Sequence, residues 1–93
     1  MPTPLYDALR GYAAKAPLRF HMPGHKGAFL PCPELAPLAR LDVTEIPSTR
    51  GNLYEDLSPI REAQALWARR MGAEYCQFLT GGSTMGIHTA LSP

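Results

Sequence analysis

Two cysteines, one tryptophan and the absence of any long apolar run mark what this sequence has least of. Cys32 and Cys76 are too few and too far apart for a disulfide framework or a zinc site, so both read as free thiols in a reducing, cytoplasmic setting. No apolar stretch approaches the ~20 residues needed to span a bilayer. Met1-Pro2-Thr3-Pro4 carries no basic region ahead of a long apolar segment, so no secretory signal is evident. An excess of one charge is missing too. Lys and Arg number 9 against 8 Asp and Glu, a net charge of +1 that gives no footprint for nucleic acid or an anionic membrane. At 45% hydrophobic and 18% charged, the composition is that of an ordinary globular chain rather than a disordered one. The 93 residues make at most one small domain. A chain of this size buries only roughly 60–65% of its unfolded surface, so its stability is marginal.

Proline is plentiful by contrast. Of 10 prolines, all but Pro59 and Pro93 fall in the first fifty residues, which makes that half mostly loop and short helix. Thr3-Pro4 reads as an N-cap followed by proline at the first helical position. Leu5, Leu9, Tyr12 and Ala16 then recur at helical spacing with Ala8 and Ala13 beside them, and Pro17 ends the helix. Glu34 to Arg40 reads as a short helical turn, and Leu41 to Ile46 as a short strand or extended strip. Gly51-Asn52 signals a turn within a polar stretch from Pro47 to Asp56. Ser58-Pro59 opens a second helix with an apolar stripe of Ile60, Ala63, Trp67 and Met71, and Gly72 sits where a left-handed C-cap belongs. Tyr75 to Thr80 suits a buried strand. Gly81-Gly82 is a tight turn, and Ser83 or Thr84 is placed to cap a last helix from Met85 to Leu91. Helix, strand, glycine turn and helix in this order are how an α/β domain begins.

The most unusual stretch is Phe20-His21-Met22-Pro23-Gly24-His25-Lys26-Gly27. Pro23 forbids a regular helix, and glycines admit backbone angles that other residues avoid. The segment reads as a shaped loop presenting polar side chains, the kind of place where binding groups concentrate. His21 and His25 are four apart, which invites a metal reading, but Pro23 breaks the helix that would put them on one face and no third ligand has suitable spacing. Lys26 is a Schiff-base candidate in principle; a basic loop residue paired with a carboxylate or phosphate is the plainer reading. Asp42 and Glu45 suit either a paired acid/base role or ordinary solvated or ion-paired carboxylates. His88 reads as a helix-face residue and Cys76 as a buried strand residue. Gly81-Gly82-Ser83-Thr84 lies where the expected strand hands over to the last helix. Free backbone N–H groups at a helix N-terminus and the positive end of the helix dipole favour a phosphate there. An ordinary capped turn remains the alternative, and no Gly-Lys-Ser/Thr follows at P-loop spacing.

Phe20 to Gly27 also resembles the N-terminal signature of the pyridoxal-phosphate-dependent ornithine/lysine/arginine decarboxylases. Asp42-Val43-Thr44-Glu45 resembles the acidic strip that follows it there. Glu62-Ala63-Gln64 with Met71-Gly72-Ala73 is similar to the helix and turn before the first sheet strand, and Phe78 to Thr84 to the strand and turn that hold the cofactor phosphate. Four elements in the same order extend the resemblance over nearly the whole chain. It implies an α/β fold class: the N-terminal portion of an aspartate-aminotransferase-like fold (fold type I), mostly helices and loops with one or two short strands. In that frame, residues 1–41 form an N-terminal helix and signature-loop segment, and residues 42–93 begin the large cofactor-binding domain. The resemblance implies pyridoxal phosphate as cofactor, with Gly82, Ser83 and Thr84 at its phosphate, and puts His25 and Lys26 near the active site or a subunit contact. It implies a basic amino acid as substrate (arginine, lysine or ornithine), release of carbon dioxide, and assembly as dimers or multiples of dimers.

The same resemblance sets a limit. In that family the cofactor lysine, in a Ser-x-His-Lys-like motif, lies far downstream, as do the aspartate at the pyridine nitrogen and the histidine that stacks on the ring. No position here matches them, Lys26 included. No catalytic residue and no metal is therefore assigned to this chain, and no activity is expected of it alone. The signature begins at Phe20, as in shorter members of the family without an extra N-terminal domain. Two other readings remain: a small non-catalytic phosphate-binding or interaction module derived from that family, and a small metalloprotein using His21 and His25.

Overall fold

A computed structural model describes residues 1–28, 31–45 and 58–93. The expected turn at Gly51-Asn52 and its polar surroundings lie outside the described residues. Packing separates the chain into two units, Met1–Ala63 and Gln64–Pro93.

In the first unit, helix α1 spans Pro4–Ala14 with Pro4 at its first position, as the sequence indicates, although the Thr3 side chain makes no capping bond. Tyr12 is buried, Leu5, Ala8, Leu9 and Ala13 are half-buried, and Ala16 is exposed beyond the helix end. Ala16 turns the chain away with a φ of +44°, its N–H donating to the Ala13 carbonyl just ahead of Pro17. A 3-10 turn at Pro33–Leu35 leads into helix α2, Ala36–Leu41, the short helical stretch expected there. Helix α2 packs on α1 and buries Ala39. The strip after Leu41 forms no strand among the described residues; Asp42 to Thr44 follow α2 without regular structure.

Helix α3 spans Pro59–Met71. Its start is as expected: Ser58 is buried, and its Oγ accepts the Arg61 N–H at 3.1 Å. Its end is a Schellman closure, with the Ala73 N–H donating to the Ala68 carbonyl at 2.9 Å and the Gly72 N–H to the Arg69 carbonyl at 3.2 Å. Gly72 takes a φ of +69°, the left-handed angle its position calls for. The buried side of α3 differs from the expected stripe. Gln64 and Ala68 are buried, whereas Trp67 and Met71 are 55% and 66% exposed. Residues 63, 64, 67 and 68 share one arc of a helix, so apolar spacing identifies the helix without deciding which flank of the arc is covered.

In the second unit, residues 75–80 form no strand. Cys76, Gln77 and Phe78 are half-buried, and Tyr75, Leu79 and Thr80 are exposed. A strand is defined by its ladder partner, and no ladder partner exists among the described residues. Helix α4 spans Gly82–Leu91, starting earlier than expected. The N-cap is Gly81, and neither Ser83 nor Thr84 caps the helix; both fall within its first turn. Among the described residues no helix is long and apolar enough to cross a membrane.

Candidate functional site

The signature loop is held by a closed set of polar bonds. Arg19, immediately ahead of it, donates from Nη1 to the carbonyls of Ala39 at 3.3 Å and Asp42 at 3.1 Å, and from Nη2 to that of Arg40 at 2.6 Å. These carbonyls belong to the C-terminal end of α2, where a cation meets the negative end of the helix dipole. The same guanidinium lies over the Tyr12 ring at 5.1 Å from its centroid. Arg19 therefore ties together α1, the loop and α2.

Both histidines use both ring nitrogens. The Tyr12 hydroxyl and His21 Nε2 are 2.6 Å apart, and His21 Nδ1 faces the Met22 carbonyl. A carbonyl only accepts, so Nδ1 carries the proton, and in the neutral ring the Tyr12 hydroxyl donates to Nε2. His25 has the opposite tautomer. Its Nδ1 accepts the Gly27 N–H at 2.9 Å, so Nε2–H donates to Asp42 Oδ2 at 2.8 Å. Asp42 thus accepts a hydrogen bond from the neutral His25 imidazole. The Lys26 ammonium reaches back to the His21 carbonyl at 2.7 Å and pairs with no carboxylate among the described residues. Lys26 adopts a φ of +55°, and Gly27 a φ of +78°. At Gly27 a Cβ would fall 2.7 Å from the Arg19 guanidinium carbon, so a side chain there would displace the central clamp.

A metal fits this loop poorly. All four imidazole nitrogens are engaged within the protein, and the described residues hold no cluster of three His, Cys, Asp or Glu side chains at metal-binding proximity. His88 is exposed on α4, and Cys32 and Cys76 are free thiols. Sequence reasoning missed the clamp. Nothing in the spacing of Arg19 marks it, because its partners are backbone carbonyls contributed by a helix some twenty positions away. Arg19→Ala is expected to lower the unfolding free energy of the chain in urea by about 1–2 kcal/mol, since it leaves the α2 carbonyls without their donor and uncovers Tyr12. An unchanged urea midpoint would show that the clamp is not a stabilising feature.

The glycine turn is the opposite case, a site whose donors are left open. Gly82 has a φ of +81°, an angle that strains any residue with a Cβ. At Gly81 a Cβ would run into the Met85 side chain. The first-turn N–H groups of α4 have no intrahelical partner, and no side chain among the described residues is bonded to them. Gly82, Ser83 and Thr84 are all exposed. Backbone donors, two hydroxyls and a helix dipole at one exposed turn suit a phosphate ester.

Over nearly its whole length the chain is similar to bacterial arginine decarboxylases. It is 32% identical over 91 residues to the arginine decarboxylase of Bacillus subtilis (strain 168), a match covering 94% of this chain and 19% of that protein. It is also 32% identical over 92 residues to the arginine decarboxylase of Bacillus anthracis, covering 94% of this chain and 18% of that protein. An uncharacterized Bacillus subtilis protein, YaaO, is 34% identical over 90 residues, covering 92% of this chain and 18% of that protein. The chain spans about a fifth of the length of these relatives. No protein-family profile and no solved structure matches it.

Proposed function

We propose that this chain is the phosphate-anchoring portion of a pyridoxal-phosphate-dependent decarboxylase acting on a basic amino acid, within an aspartate-aminotransferase-like fold. The observation that carries the reading is the Gly81–Thr84 turn. It opens a helix with uncapped donors and a glycine-only backbone angle, in a chain similar to arginine decarboxylases over 94% of its length. The backbone N–H groups of α4's first turn and the hydroxyls of Ser83 and Thr84 hold the phosphate. Gly82 lets the anion approach the backbone closely.

Bound there, pyridoxal phosphate supplies the electron sink for loss of the substrate carboxylate as carbon dioxide. This chain contributes binding and orientation. In the signature loop the two imidazoles and the Lys26 ammonium are bonded within the protein, which holds the loop's shape. Arginine is the first substrate to test, since two of the relatives are named for it.

The test is carbon dioxide release by the complete polypeptide that carries this chain, loaded with pyridoxal phosphate and given arginine, lysine or ornithine. Release from at least one of the three, lost on removal of the cofactor, is expected. Cofactor binding without any release would point instead to a non-catalytic phosphate-binding module.

A further inference from the structure

Gln64 is the least exposed polar residue of the second unit, at 2%, and it lies one turn into α3. Its Oε1 accepts the Phe78 N–H at 2.7 Å. A backbone N–H only donates, so this bond fixes which end of the amide is the oxygen. The other end, Nε2, is buried without a hydrogen-bond partner among the described residues. An apolar side chain of similar shape would fill this place without burying an unpaired donor. The amide is therefore an expensive choice if packing is all it does.

What the amide holds is the segment leading into the glycine turn. Phe78 precedes Gly81 by three residues. Residues 75–80 have no ladder partner among the described residues, so a side chain supplies the acceptor that a neighbouring strand would otherwise give. Past the bond, Leu79 lies so close to Gly86 that a Cβ there would be 2.8 Å from its Cδ1, and Met85 covers Gly81. The path runs from Gln64 through Phe78 and Leu79 to Gly86 in the second turn of α4, and Met85 one residue earlier lies over Gly81. We infer that Gln64 is a positioning residue for the phosphate turn, acting through the Phe78 N–H on the placement of Gly82, Ser83 and Thr84.

This inference rests on the phosphate reading above, and the test separates the two. The complete polypeptide is titrated with pyridoxal phosphate and with pyridoxal, which lacks the phosphate. Wild type is expected to prefer pyridoxal phosphate. In Gln64→Met that preference is expected to fall by roughly tenfold, the equivalent of one lost hydrogen bond, with pyridoxal affinity little changed. Gln64→Glu keeps an acceptor for Phe78 and is expected to retain most of the preference. Should Gln64→Met fail to fold, Gln64→Asn, one methylene too short to reach Phe78, carries the same expectation. Equal losses for both ligands, or no loss for either, would overturn the positioning role. A wild type with no preference for the phosphorylated ligand would remove the phosphate reading and this inference with it.

Discussion

Replacing Ser83 and Thr84 together by alanine in the complete polypeptide is expected to weaken pyridoxal phosphate affinity by roughly one to three orders of magnitude. The double change removes up to two charge-assisted hydrogen bonds, each worth roughly 1.5–3 kcal/mol. The loss stays partial because the backbone donors of α4 and its dipole remain. Neither hydroxyl caps the helix, so the helix itself should be unaffected, and circular dichroism of the double variant should match wild type. Preference among arginine, lysine and ornithine should shift little, since the phosphate end of the cofactor is remote from the substrate side chain. Equilibrium dialysis against the cofactor measures the effect. Unchanged affinity would mean that the phosphate is held elsewhere.

The 93-residue chain on its own is expected to release no carbon dioxide from arginine, lysine or ornithine with pyridoxal phosphate added. Its lysines are Lys15 and Lys26. Lys15 closes the end of α1, and the Lys26 ammonium is bonded to the His21 carbonyl inside the signature loop. Neither resembles the family's cofactor lysine. Borohydride reduction after incubation with the cofactor should accordingly yield no stoichiometric pyridoxyl adduct, as read by mass spectrometry. A single adduct on Lys26, or release above background, would show that the loop does chemistry that its bonding pattern argues against.

Helix boundaries were legible where local chemistry decides them. Ser58-Pro59 and Gly72 marked the two ends of α3 because a cap and a left-handed closure involve only neighbouring residues. The covered flank of α3 was not legible, since Gln64 and Trp67 lie on the same arc and burial depends on what packs there. The strand at 75–80 was read from its apolar run, yet strand formation needs a partner that no local pattern supplies. The glycine turn is legible as the place where the last helix begins, but that helix starts at Gly82 rather than Met85. Ser83 and Thr84 looked like caps and are first-turn residues, which leaves their hydroxyls available. The signature loop stood out through its glycines, proline and histidines. Its organising residue did not, because Arg19 acts through backbone carbonyls that carry no sequence identity.

A crystal structure of the complete polypeptide with pyridoxal phosphate bound tests the central claim most directly. The account expects the phosphate oxygens within about 2.7–3.2 Å of the first-turn N–H groups of α4, with Ser83 or Thr84 Oγ in reach and Gly82 keeping its positive φ. A phosphate held by other residues, with the Gly81–Thr84 turn facing solvent or protein instead, would contradict it.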